Sequence, residues 1–537
     1  MKKNKLLLLL LIVPLLFVTA CSDKDAKSKK GSTSENLENL TESGLPIVED
    51  QIKLKIFAGR TPQSAEDWND VLIWNTYEEM TNIDVEWEMV QSTGLEEKRN
   101  LALASGTLPD AFHTASIPTV DLLKYGEQGV FIPLNNLIEE HAPNLKKVLA
   151  EYPEVEKAIT FPDGNIYSFP TIVDPNFLSM LLGPRPWVNK EWLDTLGMEM
   201  PQTTEDYYEY LKAVKTKDPN GNGKADEIPF GSYSIDMLIR WLNGAYGLGN
   251  RGFNHPYIDM DPDKEELRFI PTSEEYKAMI EYLHKLYNEG LIEQNIFSME
   301  TGQFLANSTE GLYGSTVSHS PRELFGVEEY SGAPALEGPF KDKLFTGITP
   351  MVTSINGFVI TSENENPAAT VRWMDHFYSD EGSKLFLMGV EGETYEETSD
   401  GELKYLDKIT NSSDGLTFEQ ELAKYLTWPG GGYPGLVKEE FFKGLENADD
   451  SREAAEKLEA YIIDEVWPSF TYTKEENDLL ASIGTDIQKY VIEMRDKFIS
   501  GDIPLSEWDS YTQTIQDMGL EDYLEVQKQA LERYKSN

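Results

Sequence analysis

The sequence predicts an α/β protein built as two discontinuous lobes with a cleft between them, and three observations carry that expectation. Strand-like alternation and helix-like periodicity take turns from Ile52 to Gly126. The chain then leaves through a proline-stiffened connection at Pro184 and Pro186, and short strands with Gly-Pro turns return between Leu312 and Ile360. Cys21 is the single cysteine in 537 residues, so the fold must be held by packing and not by disulfides or thiolate metal sites.

The opening reads as βαβ. Ile52, Leu54 and Ile56 alternate with lysines, and Ile83, Val85, Trp87 and Met89 with acids, around a helix near Trp68 to Met80. Leu95 to Ser105 reads as a second helix, Asp110 to His113 as a strand end and Pro118 to Gly126 as a third helix. This alternation predicts a largely parallel sheet with helices on both faces. Phe161-Pro162-Asp163-Gly164-Asn165 carries turn chemistry and predicts a hairpin. Thr203 to Asp206 starts a helix, and Thr272 with Glu275 forms a capping box for another that Gly290 closes. A helix carrying Val371, Met374, Phe377 and Tyr378 follows the returning strands. From Thr417 onward the pattern is mostly helical, interrupted by aromatics and glycines at Trp428 to Gly435. The expected division is 51–183 with 312–416 for lobe one, and 184–311 with 417–537 for lobe two. Clefts between lobes are where ligands bind.

The N-terminus is an export signal, with Lys2, Lys3 and Lys5 ahead of an apolar run from Leu6 to Val18. That run is shorter than the roughly 20 residues a membrane span needs. Thr19 and Ala20 before Cys21 resemble the lipobox of bacterial lipoproteins, which predicts cleavage after residue 20 and a lipid on Cys21; an uncleaved signal anchor is the alternative. Residues 21–50 are rich in Ser, Lys, Glu and Asn and read as a flexible tether. These features place the protein on the extracellular face of the cytoplasmic membrane. The net charge of −46 argues against a nucleic-acid partner and, more mildly, against a strongly anionic ligand.

The most specific chemistry lies at 218–227. Asp218, Asn220, Asn222 and Asp226 stand at positions 1, 3, 5 and 9 of a loop with Gly223 at position 6, where the Lys224 carbonyl can fill position 7. This is calcium-loop spacing: the ion takes six to eight hard oxygens, and the glycine permits the bend. Position 12, where a bidentate glutamate is usual, holds Pro229, and Glu227 at position 10 is the candidate replacement. The expected role is a structural staple. The alternative is a polar turn that holds no metal.

Several segments together resemble one family. They are Ala104-Ser105-Gly106-Thr107-Leu108-Pro109-Asp110, Phe161 to Tyr167, Asn189-Lys190-Glu191-Trp192-Leu193-Asp194-Thr195-Leu196-Gly197, the acidic loop, and Asp380-Glu381-Gly382 followed by Gly389 to Tyr395. In this order they are similar to the large extracellular solute-binding lipoproteins of bacterial ABC importers, which include alginate-oligosaccharide-binding proteins. The resemblance implies the two-lobed periplasmic-binding-protein type II fold, calcium at Asp218, Asn220, Asn222, Lys224, Asp226 and Glu227, no enzymatic activity, and an oligosaccharide ligand passed to a membrane permease. The protein is expected to work as a monomer.

Sugar rings pack their C–H faces on aromatic rings and need planar polar partners for their hydroxyls. Trp428 and Tyr433, in a glycine-rich loop, are the first ligand candidates, followed by Trp241, Trp467, Arg60 and His113. Arg60 and His113 enter because ligands sit beyond the carboxyl ends of strands in α/β sheets. Trp192 and Trp373 sit on amphipathic helices and are expected in the core. Two other functions fit the composition, a secreted glycoside hydrolase working through paired carboxylates and a peptide receptor.

Overall fold

The computed structural model describes residues 37–536; the export signal, Cys21 and the tether up to residue 36 lie outside them. Residues 37–50, expected to belong to the tether, are instead packed on the fold, because Ile47 and Val48 bury their side chains to 2% exposure and Arg372 Nη2 donates to the Gly44 carbonyl at 2.7 Å. In chain order the strands are β1 (Ile52–Arg60), β2 (Ile83–Gln91), β3 (Ala111–His113), β4 (Phe169–Val173), β5 (Arg185–Asn189), β6 (Ile228–Phe230), β7 (Ile258–Met260), β8 (Leu267–Phe269), β9 (Tyr313–Ser318), β10 (Tyr330–Gly332), β11 (Val352–Ile360), β12 (Tyr395–Glu397), β13 (Leu403–Tyr405) and β14 (Gly435–Val437). A six-stranded sheet has the order β14-β4-β11-β3-β1-β2, and a four-stranded sheet the order β10-β5-β9-β6; β7 with β8 and β12 with β13 make two hairpins.

The βαβ opening forms as expected. β1 and β2 run parallel from Ile52 opposite Ile83 to Arg60 opposite Gln91. The helix between them covers Leu72–Thr81, starting four residues after Trp68, whose indole is 2% exposed and donates to the Ser64 hydroxyl at 2.9 Å. Beneath the first sheet Trp74 packs on Trp87 at 4.7 Å between ring centroids and stacks on Trp373 at 5.5 Å. Trp192 is also buried, at 5% exposure. Aromatic packing of this kind buries large apolar areas without any crosslink.

Four details differ from the sequence reading. The first sheet is mixed and not largely parallel, because β11 runs antiparallel between β3 and β4. The reason lies in the path of the chain. β4 leaves the sheet at its carboxyl end toward β5, and the returning segment lies against that exit, with Thr349 N–H donating to the Leu181 carbonyl at 2.9 Å. A strand that enters where its neighbour leaves must run the opposite way.

Secondly, the return comes later than Leu312. β9 is buried at every position, so it needs a ladder on both sides, and it finds β5 antiparallel and β6 parallel in the second sheet. β10 joins the same sheet through β5, and the chain re-enters the first sheet only at β11. β14, expected in lobe two, pairs parallel with β4 in the first sheet. Thirdly, Phe161–Asn165 closes a turn, with Phe161 N–H on the Asn165 carbonyl at 2.9 Å, but the helix Pro153–Ile159 precedes it and no hairpin forms. Fourthly, Ser273 and not Thr272 caps the helix Glu274–Asn288, accepting from Tyr276 N–H, while Thr272 ends a short 3₁₀ turn. The helix start expected at Thr203–Asp206 is present, formed by a capping box of Thr203 and Asp206 that opens the helix Thr204–Thr216.

Candidate functional site: a cavity at the strand ends

A cavity of about 330 Å³ opens beyond the carboxyl ends of β1 and β3, where α/β sheets place ligands. Arg60 ends β1 and lines it together with Thr61, Thr114, Ser116, Asn356 and Tyr433. Thr114 and Ser116 hold positive φ values of 46° and 51°. Such backbone outliers persist only where the surroundings enforce them. Here buried Arg99 does so, its Nη1 donating to the Ala115 carbonyl at 3.2 Å and the Ser116 carbonyl at 2.5 Å.

Opposite these residues the loop Gly430-Gly431-Gly432 has φ values of 84°, 94° and 87°. A Cβ on Gly430 would lie 2.0 Å from Thr61 Oγ1, and one on Gly432 3.0 Å from Thr114 Cγ2. Only glycine allows both this conformation and this approach. The loop thereby sets Tyr433 at the cavity rim, half-buried, with burial pushing its phenol up and Glu446 adding to the rise.

The second sheet presents its own carboxyl ends. Tyr233 follows β6 and His319 follows β9. His319 Nδ1 stands 3.5 Å from Glu446 Oε1. Burial first, then the Arg185 and Arg240 guanidiniums, lower His319 to about 4, so at neutral pH its ring is uncharged and offers one donor and one acceptor. Burial raises Glu446, and Arg185 opposes the rise. Glu446 is thus within electrostatic reach of Tyr433 on the first-sheet side and of Arg185 and His319 on the second.

Two of the six predicted ligand residues, Arg60 and Tyr433, line one cavity. The other four are core residues. Trp428 is 4% exposed and its indole N–H donates to the Leu387 carbonyl at 2.9 Å. Trp241 is fully buried, bonded to the Pro334 carbonyl at 3.1 Å, and Trp467 is fully buried with its N–H on Glu465 at 3.0 Å. His113, 1% exposed, sits edge-on among Trp68, Trp74 and Trp87, and burial lowers it to about 3. A side chain closed on all faces offers none to a ligand. Thr114, Ser116, Asn356, His319 and Glu446 were missed; the available signal was polar residues directly after a strand end, as in His113-Thr114-Ala115-Ser116 and Ser318-His319-Ser320.

The acidic loop lies at the other end of β6. Gly221 and Gly223 adopt φ of 69° and 74°, and the side-chain oxygens of Asp218, Asn220 and Asn222 turn inward to accept backbone N–H groups of Asn222, Gly223 and Lys224 at 2.7–3.1 Å. The Asn220 and Asn222 amides reach Asp226 Oδ1 at 3.3 and 3.0 Å. Glu227 Oε1 is buried with no partner, and burial, then the Asp218 and Asp226 charges, raise its carboxyl. An orphaned buried carboxylate oxygen beside two further carboxylates and two amide oxygens fits a hard cation. Pro229, inside β6, accepts from the Ser315 hydroxyl at 2.9 Å and supplies no carboxylate. Among the described residues no cluster of three or more His, Cys, Asp or Glu is arranged as a metal site, so a cation here would depend on amide and carbonyl oxygens.

Comparison with known proteins agrees with this architecture. The chain is 32% identical to the fructooligosaccharide ABC transporter substrate-binding protein FusA of Streptococcus pneumoniae, over 98% of each. It is 25% identical to the lipoprotein LipO of Bacillus subtilis, over 82% of this chain and 85% of that one. Among solved structures it matches FusA in complex with kestose with a TM-score of 0.74 at 30% identity, over 90% of this chain and 100% of that one. FusA has also been solved as an EF-hand mutant with fructo-nystose, at a TM-score of 0.73 and 30% identity, over the same shares of the two chains. Residues 62–384 match the model of the bacterial extracellular solute-binding proteins. With a two-lobed α/β fold and a cavity at the strand ends, the chain belongs to that family of binding proteins, which are not enzymes.

Proposed function

We propose that this protein is the substrate-binding component of an ABC importer, capturing a short, uncharged oligosaccharide outside the cell and delivering it to a membrane permease. The observation that carries the reading is the cavity at the ends of β1 and β3, where a tyrosine, a guanidinium and several hydroxyl or amide groups converge. Aromatic faces take the apolar side of a sugar ring while planar polar groups take its hydroxyls. The likeness to a fructooligosaccharide-binding protein over nearly all of both chains supports the same class of ligand.

In this reading each sheet with its helices forms one lobe, and the segments 174–184, 346–351 and 438–444 connect them. Capture closes the lobes on the sugar. Cys21 carries the lipid, the tether gives reach, and the protein acts as a monomer at the extracellular face. Among the described residues no helix is long and apolar enough to cross a membrane. A calcium ion would be held by Asp218, Asn220, Asn222, the Lys224 carbonyl, Asp226 and Glu227. It would supply charge neutralisation for the crowded carboxylates and hold the loop to β6.

Isothermal titration of the mature protein against kestose, longer fructooligosaccharides and unrelated glycans tests the function, with reducing-end release measured in parallel. Micromolar or tighter binding to one oligosaccharide series without hydrolysis is expected. Binding only to peptides, or release of reducing ends, would overturn it.

A further inference from the structure

A second cavity, of about 370 Å³, lies beside the helix Ile235–Leu242 that follows β6, and shares no lining residue with the first. Its rim carries Phe253, 40% exposed, an unusual amount for a phenylalanine. The ring is not loose. Its backbone N–H donates to the Ile348 carbonyl at 2.9 Å, and the Arg240 guanidinium lies over the ring at 4.0 Å from the centroid.

Arg240 is itself fixed. Its Nη2 donates to the Leu182 carbonyl at 2.8 Å and to the Gly347 carbonyl, on two of the three segments that join the sheets. A Cβ on Gly347 would lie 2.8 Å from Arg240 Nε, so the close approach is built into the sequence. One face of Phe253 is therefore covered by a buried cation, and the exposed surface is held rigid toward the cavity. A rigid aromatic saves the ordering entropy that a mobile one loses on binding.

Polar groups stand where hydroxyls would need them. Asp236, with its side chain 54% exposed, pairs with Arg495 and accepts from the Ser234 hydroxyl at 2.8 Å, and both Asp236 and Arg495 line the cavity with Asn243 and Tyr257. Acceptor and donor thus sit together beside a flat apolar ring. Thr346 lines this cavity and Thr353 lines the first; the connecting chain limits their separation to about 25 Å. A chain of several linked rings has that length.

We propose that Phe253 is the stacking platform of a second saccharide subsite, which takes an uncharged sugar residue beyond those held at Arg60 and Tyr433 and so selects for chain length. This rests on the oligosaccharide reading above. The Phe253→Ala and Phe253→Trp variants are titrated calorimetrically with kestose and fructo-nystose, or with the shortest and longest members of whichever series the wild-type protein binds. Phe253→Ala should weaken the longer ligand about tenfold, the size of one aromatic contact, and leave the shorter within twofold. Phe253→Trp should restore the longer and show a ligand-dependent change in emission beyond that of the wild type. Unchanged affinity for the longer ligand, or equal loss for both lengths, overturns the subsite while leaving the function standing. A wild-type protein that binds no oligosaccharide overturns both.

Discussion

The acidic loop and the first cavity flank strand ends in different sheets, yet one is written in ten consecutive residues and the other in several separated stretches of chain. Asp218 to Glu227 needs no tertiary contact to bring its oxygens together: two left-handed glycines and a set of side-chain-to-backbone hydrogen bonds suffice. The cavity exists only after β1, β3, β4, β11 and the loop before β14 have been laid side by side. A local site therefore survives as a motif, while a topological site survives as a place. The two should fail independently.

The largest test of that independence is Tyr433→Ala, which should weaken oligosaccharide binding about thirtyfold to a hundredfold, as expected for an aromatic that anchors a ligand. The calcium response of its melting temperature should stay as in the wild type. Trp428→Phe, five residues away, should leave affinity within twofold, because that indole faces the core. A large loss of affinity in Trp428→Phe would erase the distinction between rim and core in this loop.

Next in size is an effect of acid on the core of the first sheet. His113 is lowered to about 3 in the folded protein from an ordinary value near 6.5, so between those limits the unfolded chain binds the additional proton. Stability is fully present above pH 6.5 and is lost as the pH falls toward 3, by roughly 3 kcal/mol at pH 4.5 for this group. Thermal melts from pH 7 to 4.5 should show the slope, and His113→Asn should make it shallower, leaving the part due to the other buried histidines. An unchanged slope in the variant would mean the histidine is not held neutral in the core.

The smallest effect belongs to the loop. Chelation of calcium should lower the melting temperature by a few degrees, consistent with about 1–3 kcal/mol of ion-linked stability, and Asp218→Ala should abolish the response. Affinity for the sugar should change less than twofold in both cases. A larger change would show that the two ends of β6 communicate.

Much of the fold was legible because hydrophobic alternation and helical spacing are local: β1, β2 and the helices after them lie within a few residues of their expected limits. The points that escaped share a cause. The all-buried strand β9 reads the same whichever sheet receives it, and Gly435–Val437 is too short to announce a strand. At the first cavity, glycines marked the loop that lines it but not which of its two aromatics faces outward. Trp428 and Tyr433 differ only in what the rest of the chain puts against them: Phe442 lies 5.0 Å from the first ring and 6.2 Å from the second, and an in-chain carbonyl takes the indole N–H. Tryptophan's size drew it inward, against the expectation that a sugar site would use it.

β6 is three residues long, with the acidic loop at its entrance and Tyr233 just beyond its exit. That spacing separates what must be inherited unchanged from what is free to vary. On the reading proposed above, substitutions around Phe253 and His319 would retune which glycan is bound while the opposite end continues to secure the same backbone, so a change of diet would not require the receptor to refold.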